Sequence, residues 1–401
     1  MVAKLVSNLT EKITIEEQRQ QFFGLTNKTY FNFGGQGTMP QASLDAIVNT
    51  HQYIQKVGPF SGRVNSWLQS KTAQLRRTIA EELKTTGDRI TLTENVTAGC
   101  NIALWGVRWQ PGDIILMSDC EHPGVIATVN EIVRRFQVEV QICPILETLD
   151  RGNPTEVIQQ YLTPKTRLVV ISHLLWNTGQ VLPLKEIVDA CHGYDRGERQ
   201  IRVLVDAAQS VGSLDLNLPE SNVDYYAFTG HKWLCGPAGV GGLYISESAF
   251  NQLHPTFIGW RGINIDSQGQ PQSWKSDGQK YEVATSAYPE YQGLQAAIAT
   301  HRQWGTSAQR YQRIRQLSQY LWFGLNQLDG VSCLKKSPPE AGIVSFQILD
   351  RNQQDIVNHL EQQGFFLRTL AYPDCIRACV HYMTLTQEID SLVAAISLAM
   401  A

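Results

Sequence analysis

Short apolar runs alternate with amphipathic stretches between residues 88 and 246 of this 401-residue chain. The apolar runs predict β-strands, which we place at residues 113–118, 167–173, 202–206 and 224–229. The stretches between them have helical periodicity and lie at residues 125–136, 155–161 and 184–191. Strands that alternate with helices are typical of a mainly parallel sheet covered by helices. The pattern therefore predicts a large α/β domain.

Polar side chains occur where these predicted strands end. Ligands of open α/β sheets bind beyond the carboxyl ends of the strands, so residues at these positions are candidates for a functional site. In chain order they are His122, Asn177, Asp206, Gln209, His231 and Lys232. Their positions predict a site along one edge of the sheet.

The sequence pattern changes after residue 290. Residues 291–329 predict long helices, residues 342–348 predict a strand and residues 387–400 predict a terminal amphipathic helix. We interpret this region as part of a smaller α+β domain. The predicted large domain covers residues 31–296, and the predicted small domain combines residues 1–30 with residues 297–401.

Charge and composition exclude some classes of protein. The chain has 34 Lys and Arg against 37 Asp and Glu, with both signs scattered, which argues against a nucleic-acid-binding protein built on a basic stripe. Charged residues make up only 18% and hydrophobic residues 43%, whereas soluble domains have roughly 25% charged residues. This balance predicts a large core or a subunit interface. Residues 262–279, rich in Gly, Pro, Gln and Ser, predict a surface loop.

The eight cysteines contain no CxxC pair. They predict neither a disulfide framework nor a zinc site, and we expect no metal. No segment has the apolar core of a leader peptide, and none reaches the roughly 18 consecutive apolar residues of a membrane span. These features predict a cytoplasmic protein.

Lys232 ends the tetrad Thr229-Gly230-His231-Lys232, which directly follows a predicted strand. An apolar site favours the neutral form of a lysine amine, and the neutral amine is the nucleophile that bonds covalently to a carbonyl cofactor. A lysine in a turn is more often an exposed residue. Lys232 alone leaves both interpretations open.

Asp206 places a carboxylate at the end of an apolar strand upstream of Lys232. Pyridoxal phosphate (PLP) requires a lysine, an acid that faces its ring nitrogen and donors for its phosphate. Asp206 is a candidate for this acid, and Gln209 is a candidate donor to the phenolic oxygen of the ring. The alternative role for Asp206 is a helix N-cap.

Two further elements complete the pattern. Thr97 lies where a loop enters a predicted helix, and the free N–H groups of a first helical turn suit a phosphate. His122 offers a flat imidazole that can stack on a planar ring. Ordinary capping and a structural histidine are the respective alternatives. The order of all these elements along the chain is more specific than any one of them.

In this order the elements resemble the class V aminotransferase-like PLP enzymes, in the branch that contains cysteine desulfurases, selenocysteine lyases and L-cysteine/cystine carbon–sulfur lyases. The resemblance extends from Tyr30 to the terminal helix. It implies the PLP-dependent transferase fold type I, which is aspartate-aminotransferase-like, with a mainly parallel large domain and a smaller α+β domain. It also implies a homodimer with active sites at the interface.

The resemblance implies a role for each candidate. Lys232 would hold PLP covalently, His122 would stack on its ring and Asp206 would pair with the ring nitrogen, and these three form the expected catalytic set. The remaining expected cofactor contacts are Thr97, Ala98, Thr229 and His231 at the phosphate, Asn177 and Gln209 near the phenolic oxygen, and Thr285, which would reach the phosphate in the partner subunit.

Two arginines near the C-terminus resemble the family's substrate-carboxylate region. We expect Arg368 to be the main contact, with Arg377 either binding substrate or ordering the loop, because an arginine offers a bidentate fork to a carboxylate. Asn177 is also expected near the substrate. Packing in the core is the expected role of three aromatic residues, Trp176, Tyr288 and Trp260.

The desulfurases of this branch carry a cysteine on a flexible loop between the arginine and the last strand, and this cysteine attacks the substrate sulfur. The chain is short at this point, and its one candidate, Cys375, does not match in spacing. We therefore expect a lyase that eliminates sulfur from the β-carbon of cystine or cysteine. The products would be pyruvate, ammonia and a persulfide or sulfide, which would be a sulfur donor for iron–sulfur clusters.

Three alternatives stay open. A desulfurase that uses Cys375 would form alanine and an enzyme-bound persulfide. An epimerase or aminotransferase of the same fold would exchange or transfer groups at Cα without releasing sulfide. A cofactor-free binding protein that kept the fold would be colourless.

Overall fold

The computed structural model describes residues 13–194 and 199–400. Within these residues the chain forms thirteen α-helices, which we number in chain order. They are α1 (Ile15–Gln20), α2 (Gln41–Val57), α3 (Gly62–Glu82), α4 (Val96–Gly106), α5 (Pro123–Phe136), α6 (Pro154–Tyr161), α7 (Leu184–Gly193), α8 (Leu218–Ser221), α9 (Glu247–Phe250), α10 (Tyr288–Trp304), α11 (Ser307–Leu325), α12 (Gln353–Gln362) and α13 (Thr386–Met400).

The same described residues form fifteen β-strands. They are β1 (Thr29–Tyr30), β2 (Ile90–Thr93), β3 (Ile114–Ser118), β4 (Glu139–Cys143), β5 (Thr166–Ser172), β6 (Arg202–Asp206), β7 (Tyr225–Thr229), β8 (Gly241–Ile245), β9 (Ile263–Ile265), β10 (Pro271–Trp274), β11 (Val331–Cys333), β12 (Ile343–Ile348), β13 (Phe365–Phe366), β14 (Arg368–Ala371) and β15 (Asp374–Cys379).

The largest sheet has seven strands in the order β2-β8-β7-β6-β5-β3-β4. Strand β8 runs antiparallel to both of its neighbours, and the other neighbouring pairs run parallel. Every residue of β3, β5, β6 and β7 is buried, as expected for parallel strands with both faces covered. The strands and helices predicted between residues 113 and 229 are confirmed, with small differences at their ends.

A second sheet has four antiparallel strands in the order β11-β12-β15-β14. Helices α11, α12 and α13 share a core with this sheet, through residues such as Leu321, Leu360 and Leu392. The strand and the terminal helix predicted in this region are confirmed, and so is the predicted fold class. The domain bounds at residues 30 and 296 stay a prediction, and residues 1–12 and 401 of the predicted small domain lie outside the described residues.

The two ends of the described chain pack together. Strand β1 pairs in parallel with β13, and Gln18 in α1 donates to the hydroxyl of Tyr382 over 2.8 Å. Arg19 forms an ion pair with Glu388 in α13. This packing supports the predicted grouping of the first residues with the C-terminal region.

The prediction of a surface loop at residues 262–279 is wrong for part of this segment, which forms regular structure. Strands β9 and β10 form an antiparallel hairpin, of which β10 is exposed throughout. The residues that follow, Gly278–Tyr281, form a 3-10 turn with buried ends. Gly278 packs so closely on β2 that a Cβ there would lie 2.2 Å from the carbonyl oxygen of Ile90. Composition predicts the exposure of this segment but not its strand pairing.

All eight cysteines lie within the described residues, where each is buried and none forms a disulfide. This agrees with the predicted lack of a disulfide framework. Among the helices that the structure describes, none combines the length and the apolar character needed to cross a membrane.

Candidate active site

The predicted residues at the carboxyl edge of the seven-stranded sheet converge on one cavity. Those that line it are Thr97, His122, Asp206, Gln209 and Lys232. A larger cavity of about 580 Å³ adjoins it, and Thr97 contributes to the walls of both. The convergence follows from topology, because the parallel strands β3, β5, β6 and β7 all end at this edge.

Lys232 lies just beyond the end of β7 and is half-buried. Burial lowers the pKa of its amine to about 8, while the negative charge of Asp206 opposes the decrease. At pH 7 about a tenth of the amine is therefore neutral, and hence nucleophilic, and at pH 8 about half is. The exposed-turn alternative does not fit this position.

Asp206 is the last residue of β6 and is buried. Its Oδ1 accepts a hydrogen bond of 2.9 Å from the backbone N–H of Ala208, and no α-helix begins there. The helix N-cap alternative is therefore wrong. Burial raises the pKa of Asp206, and the charges of Lys232 and His122 act in the opposite direction.

His122 combines both roles considered for it. It is the N-cap of α5, where its Nδ1 accepts the backbone N–H of Gly124 over 3.1 Å. Its ring nevertheless faces the cavity and contacts Trp176 edge-on, with ring centroids 5.5 Å apart. Burial lowers the pKa of His122, which favours a neutral ring.

The loop that enters α4 at Thr97 serves both as a helix cap and as a candidate phosphate contact. Asn95 is the N-cap of α4, and its side chain accepts the backbone N–H of Ala98 over 2.9 Å. The N–H of Ala98 is therefore engaged within the chain, whereas Thr97 lines both cavities. Sequence reasoning proposed capping as an alternative but did not identify Asn95 as the capping residue.

Thr229 and His231 form a pair at the end of β7. The Oγ1 of Thr229 lies 2.6 Å from the Nδ1 of His231. Burial lowers the pKa of His231. The pair fixes the orientation of the imidazole immediately before Lys232.

Gln209 is held at both ends of its amide. Its Nε2 donates to the carbonyl oxygen of Gly34, and its Oε1 accepts from the indole of Trp233, each over 2.9 Å. Asn177 is buried, and its Oδ1 accepts the backbone N–H of Thr178. Gln209 lines the cavity with one amide hydrogen still available, whereas Asn177 lies beside the cavity lining rather than in it.

Arg368 and Arg377 lie directly opposite each other on β14 and β15. Arg377 is buried, and its Nη1 donates to the carbonyl oxygen of Trp176 over 3.0 Å. Its Nε has no hydrogen-bond partner among the described residues. Arg368 is exposed. Because a buried N–H without a partner is costly, the Nε edge of Arg377 is suited to an incoming carboxylate.

Tyr372 and Pro373 are the entire connection between β14 and β15. Cys375 lies within β15, pairs with Leu370 and is fully buried. Burial raises the pKa of its thiol to about 12. Cys375 is therefore a core residue and does not lie on a mobile loop.

Thr285 is exposed and lines the larger cavity together with Thr97 and Ala98. The segment before it is anchored by Glu282, whose carboxylate forms buried ion pairs with Arg76 and Arg261. This anchor holds the exposed residues 283–285 at the rim of the cavity.

Two contributors to the site were missed or misjudged from the sequence. Trp176 lines the cavity instead of packing in the core, and its position directly before Asn177 at a strand end was an available signal. Gly34 holds Gln209, and a Cβ at this glycine would lie 2.8 Å from the sulfur of Cys379. Tyr288 packs on the main core, which confirms the prediction made for it. Trp260 is exposed, so the prediction that it packs in the core is wrong.

Cys235, His301 and His381 form a buried group of potential metal ligands, whose ligand atoms lie within 4.8 Å of one another. The Nε2 atoms of the histidines lie 3.0 Å from the carbonyl oxygen of Leu234 and 3.1 Å from that of Trp233, respectively. These contacts brace the backbone immediately after Lys232.

The donor set at the cavity fits PLP. It combines a half-buried amine of lowered pKa at Lys232, a buried carboxylate at Asp206 and a flat imidazole at His122. The hydroxyl of Thr97 stands where this cavity meets the larger one. These are the three kinds of contact that the cofactor requires.

The family model described as aminotransferase class-V matches residues 29–399. The chain belongs to the class V aminotransferase family. The family resemblance stated from the sequence is thereby confirmed.

Relatives within this class V family carry more specific descriptions. The chain is 52% identical to the cystine C–S lyase C-DES, solved in complex with its reaction product cysteine persulfide, with a TM-score of 0.92 over 94% of this chain and 99% of that one. A lysine-to-alanine variant of C-DES, solved with glycine covalently linked to its PLP cofactor, matches with the same identity and TM-score over 94% of this chain and 98% of that one. A cysteine desulfurase of Haloferax volcanii is 25% identical over 93% of this chain and 90% of its own length.

The lowered pKa of Lys232 predicts how uptake of PLP depends on pH. We expect the rate at which the cofactor-free protein binds PLP to rise about tenfold from pH 7 and to level off above the pKa of about 8, because the neutral amine is the reacting form. Stopped-flow absorbance after mixing with PLP measures this rate. A rate that is flat across this range would contradict the prediction, and an exposed lysine of ordinary pKa would still show a rise well above pH 9.

Proposed function

We propose that this chain is a PLP-dependent carbon–sulfur lyase that acts on cystine, and on cysteine more slowly. Its products are pyruvate, ammonia and cysteine persulfide from cystine, or sulfide from cysteine. The likeness to the cystine lyase C-DES over 94% of the chain supports the reaction class. The observation that carries the choice of lyase over desulfurase is the burial of Cys375 within β15.

The residues at the cavity divide the cofactor contacts among them. Lys232 would hold PLP covalently, His122 would stack on the ring, Asp206 would pair with the ring nitrogen and Gln209 would donate to the phenolic oxygen. The remaining contacts that we propose are Thr97, Thr229 and His231 at the phosphate, Ala98 beside it in the wall of the larger cavity, and Asn177 near the phenolic oxygen. When bound, PLP supplies an electron sink that stabilises negative charge at the substrate Cα.

The substrate carboxylate is held by the arginine pair. We assign the main contact to Arg377, because its buried guanidinium has an Nε without a partner among the described residues. Arg368, which sequence reasoning favoured, is exposed and adds long-range positive charge at the rim. Asn177 lies beside this contact, since Trp176 accepts from Arg377.

Lys232 acts as the base in the elimination. The substrate amine would first displace Lys232 from its covalent attachment, and the freed neutral amine would then take the proton from the substrate Cα. The C–S bond would break with both electrons leaving on sulfur. From cystine the leaving group is a persulfide, which is a weaker base than a simple thiolate and needs less help from an acid. Addition of one water to the remaining fragment yields pyruvate and ammonia.

A desulfurase would need a cysteine that reaches the substrate sulfur. Cys375 is fully buried, its pKa is raised to about 12 and only Tyr372 and Pro373 connect its strand to β14. A thiol of this kind is neither ionised nor accessible at neutral pH. The geometry therefore supports release of the sulfur product over its transfer to the enzyme.

We also propose a homodimer, in which Thr285 reaches the cofactor phosphate of the partner subunit. Thr285 is exposed, and large apolar side chains nearby are exposed as well, including Phe257 at 76% and Trp260 at 59%. Apolar surface of this kind marks interfaces. The free cysteines suit a reducing compartment, which supports a cytoplasmic location. The role as sulfur donor for iron–sulfur clusters stays a prediction.

The reaction products test the proposed function. We expect the wild-type chain to release pyruvate from cystine, and the Cys375→Ala variant to retain most of this activity, because Cys375 does not contact the site. Parallel assays of pyruvate, alanine and sulfide with cystine and with cysteine decide the matter.

Other products would indicate a different reaction. Alanine that disappears in Cys375→Ala would establish a desulfurase and sink the lyase. Solvent exchange at Cα with no sulfur release would establish an epimerase or aminotransferase, a relevant outcome because an isopenicillin N epimerase of Streptomyces clavuligerus is 29% identical over 60% of this chain and 59% of its own length.

A further inference from the structure

Glu121 is a buried carboxyl that the reaction described above does not use. It lies between β3 and α5 and is 3% exposed. Its Oε1 accepts from the hydroxyl of Ser118 over 2.5 Å and from the backbone N–H of Ser172 over 2.8 Å. Its Oε2 accepts from the hydroxyl of Ser172 over 2.8 Å. Three hydrogen bonds thus converge on this one side chain.

The cluster joins two parts of the active site. Glu121 directly precedes His122, whose ring faces the cavity. Ser172 ends β5 and lies opposite Asp206 in the parallel register of β5 and β6. The hydrogen bonds that Ser172 donates to Glu121 therefore connect the turn that carries the imidazole to the strand beside the buried carboxylate. Ser172 also lines the cavity that His122 and Asp206 line.

The charge of Glu121 follows from its surroundings. Burial raises its pKa to about 8, and the negative charge of Asp206 raises it too, whereas the hydrogen bonds from Ser118 and Ser172 oppose this. At pH 7 the carboxyl is mostly protonated. A protonated carboxyl donates one hydrogen bond and accepts the others, and either serine hydroxyl can accept its proton.

We propose that Glu121 is a positioning residue that fixes the spacing between the His122 ring and the Asp206 carboxylate by tying the end of β3 to the end of β5. The tie acts as a neutral hydrogen-bonded group. This inference rests on the proposed function only for the roles of His122 and Asp206 as cofactor contacts. A displacement of about 1 Å at such contacts can lower turnover 100-fold.

The test compares Glu121→Ala with Glu121→Gln in the PLP-loaded enzyme. Glutamine has the shape of a protonated glutamate: its carbonyl oxygen accepts from Ser118 and the Ser172 N–H, and its amide donates to the Ser172 hydroxyl. We expect Glu121→Ala to lower kcat about 10- to 100-fold with little change in KM. It should also weaken the visible circular dichroism of bound PLP and speed its dissociation. Glu121→Gln should restore all three.

The control is Glu147→Ala, which makes the same change at an exposed position and should leave every readout unchanged. Ser172→Ala removes one hydroxyl of the tie and provides the same comparison if Glu121→Ala does not fold. Wild-type kcat and cofactor dichroism in the Ala variants would overturn the inference, and so would equal impairment of Glu121→Ala and Glu121→Gln. The dichroism and the dissociation rate of bound PLP test the positioning role of Glu121 even if the wild-type chain releases no sulfur. Absence of sulfur release would refute only the proposed function.

Discussion

Lys232→Ala is expected to lower pyruvate release from cystine by at least about 1,000-fold. Two functions disappear together, since Lys232 is both the covalent attachment for PLP and the base at the substrate Cα. General-base catalysis alone contributes about 10²- to 10⁴-fold. The remaining contacts at His122 and Asp206 do not replace either function.

Two measurements follow the loss. Steady-state pyruvate release gives the rate, and borohydride reduction followed by mass spectrometry shows whether PLP is attached to the chain. The matched control is Lys165→Ala at an exposed lysine, which should keep the wild-type rate and attachment. Covalent PLP on a residue other than Lys232 in the wild-type protein would contradict the assignment.

Arg377→Ala is expected to raise KM for cystine about 100-fold. The guanidinium is buried, its Nη1 is engaged by Trp176 and its Nε is available for the substrate carboxylate. A hydrogen bond between charged partners contributes about 1.5–3 kcal/mol, which corresponds to a factor of roughly 10 to 150. The effect should fall mainly on KM because the carboxylate does not change during the elimination.

Arg368→Ala is the matched comparison, since the two arginines are cross-strand neighbours. Arg368 is exposed, so its removal should raise KM by only a few-fold, as expected for a screened surface charge. Both variants are assayed over a range of cystine concentrations, with thermal unfolding of the PLP-loaded protein as the measure of folding. A larger KM effect for Arg368→Ala than for Arg377→Ala would reverse the assignment.

The alternation of strands and helices was sufficient to predict the architecture and the edge at which Asp206 and Lys232 meet. This worked because Asp206 ends β6 and Lys232 lies three residues beyond the end of β7, and neighbouring parallel strands bring their carboxyl ends together. The order of the polar residues along the chain then pointed to the family. Local spacing therefore carried most of the information about the cofactor contacts.

Other features depend on contacts between distant parts of the chain. Gly34 meets Gln209 across 175 positions of sequence, and no local pattern indicates this pairing. The difference between Arg368 and Arg377 arises from the pairing of β14 with β15 and from the carbonyl of Trp176. The hairpin at residues 263–274 was missed because the many Gly, Pro, Gln and Ser residues of the segment predict a loop. Its few strand-forming residues, Ile263, Ile265 and Trp274, were given too little weight.

The burial of all eight cysteines has a chemical consequence for an enzyme of the proposed kind. A persulfide product exchanges sulfur with accessible thiolates, and the enzyme is the first protein that it meets. Burial keeps these thiols out of contact with solvent and raises the pKa of several, including Cys120, Cys143 and Cys375. A chain with no accessible thiolate resists inactivation by its own product, so its working lifetime does not depend on a reductant that would also destroy that product.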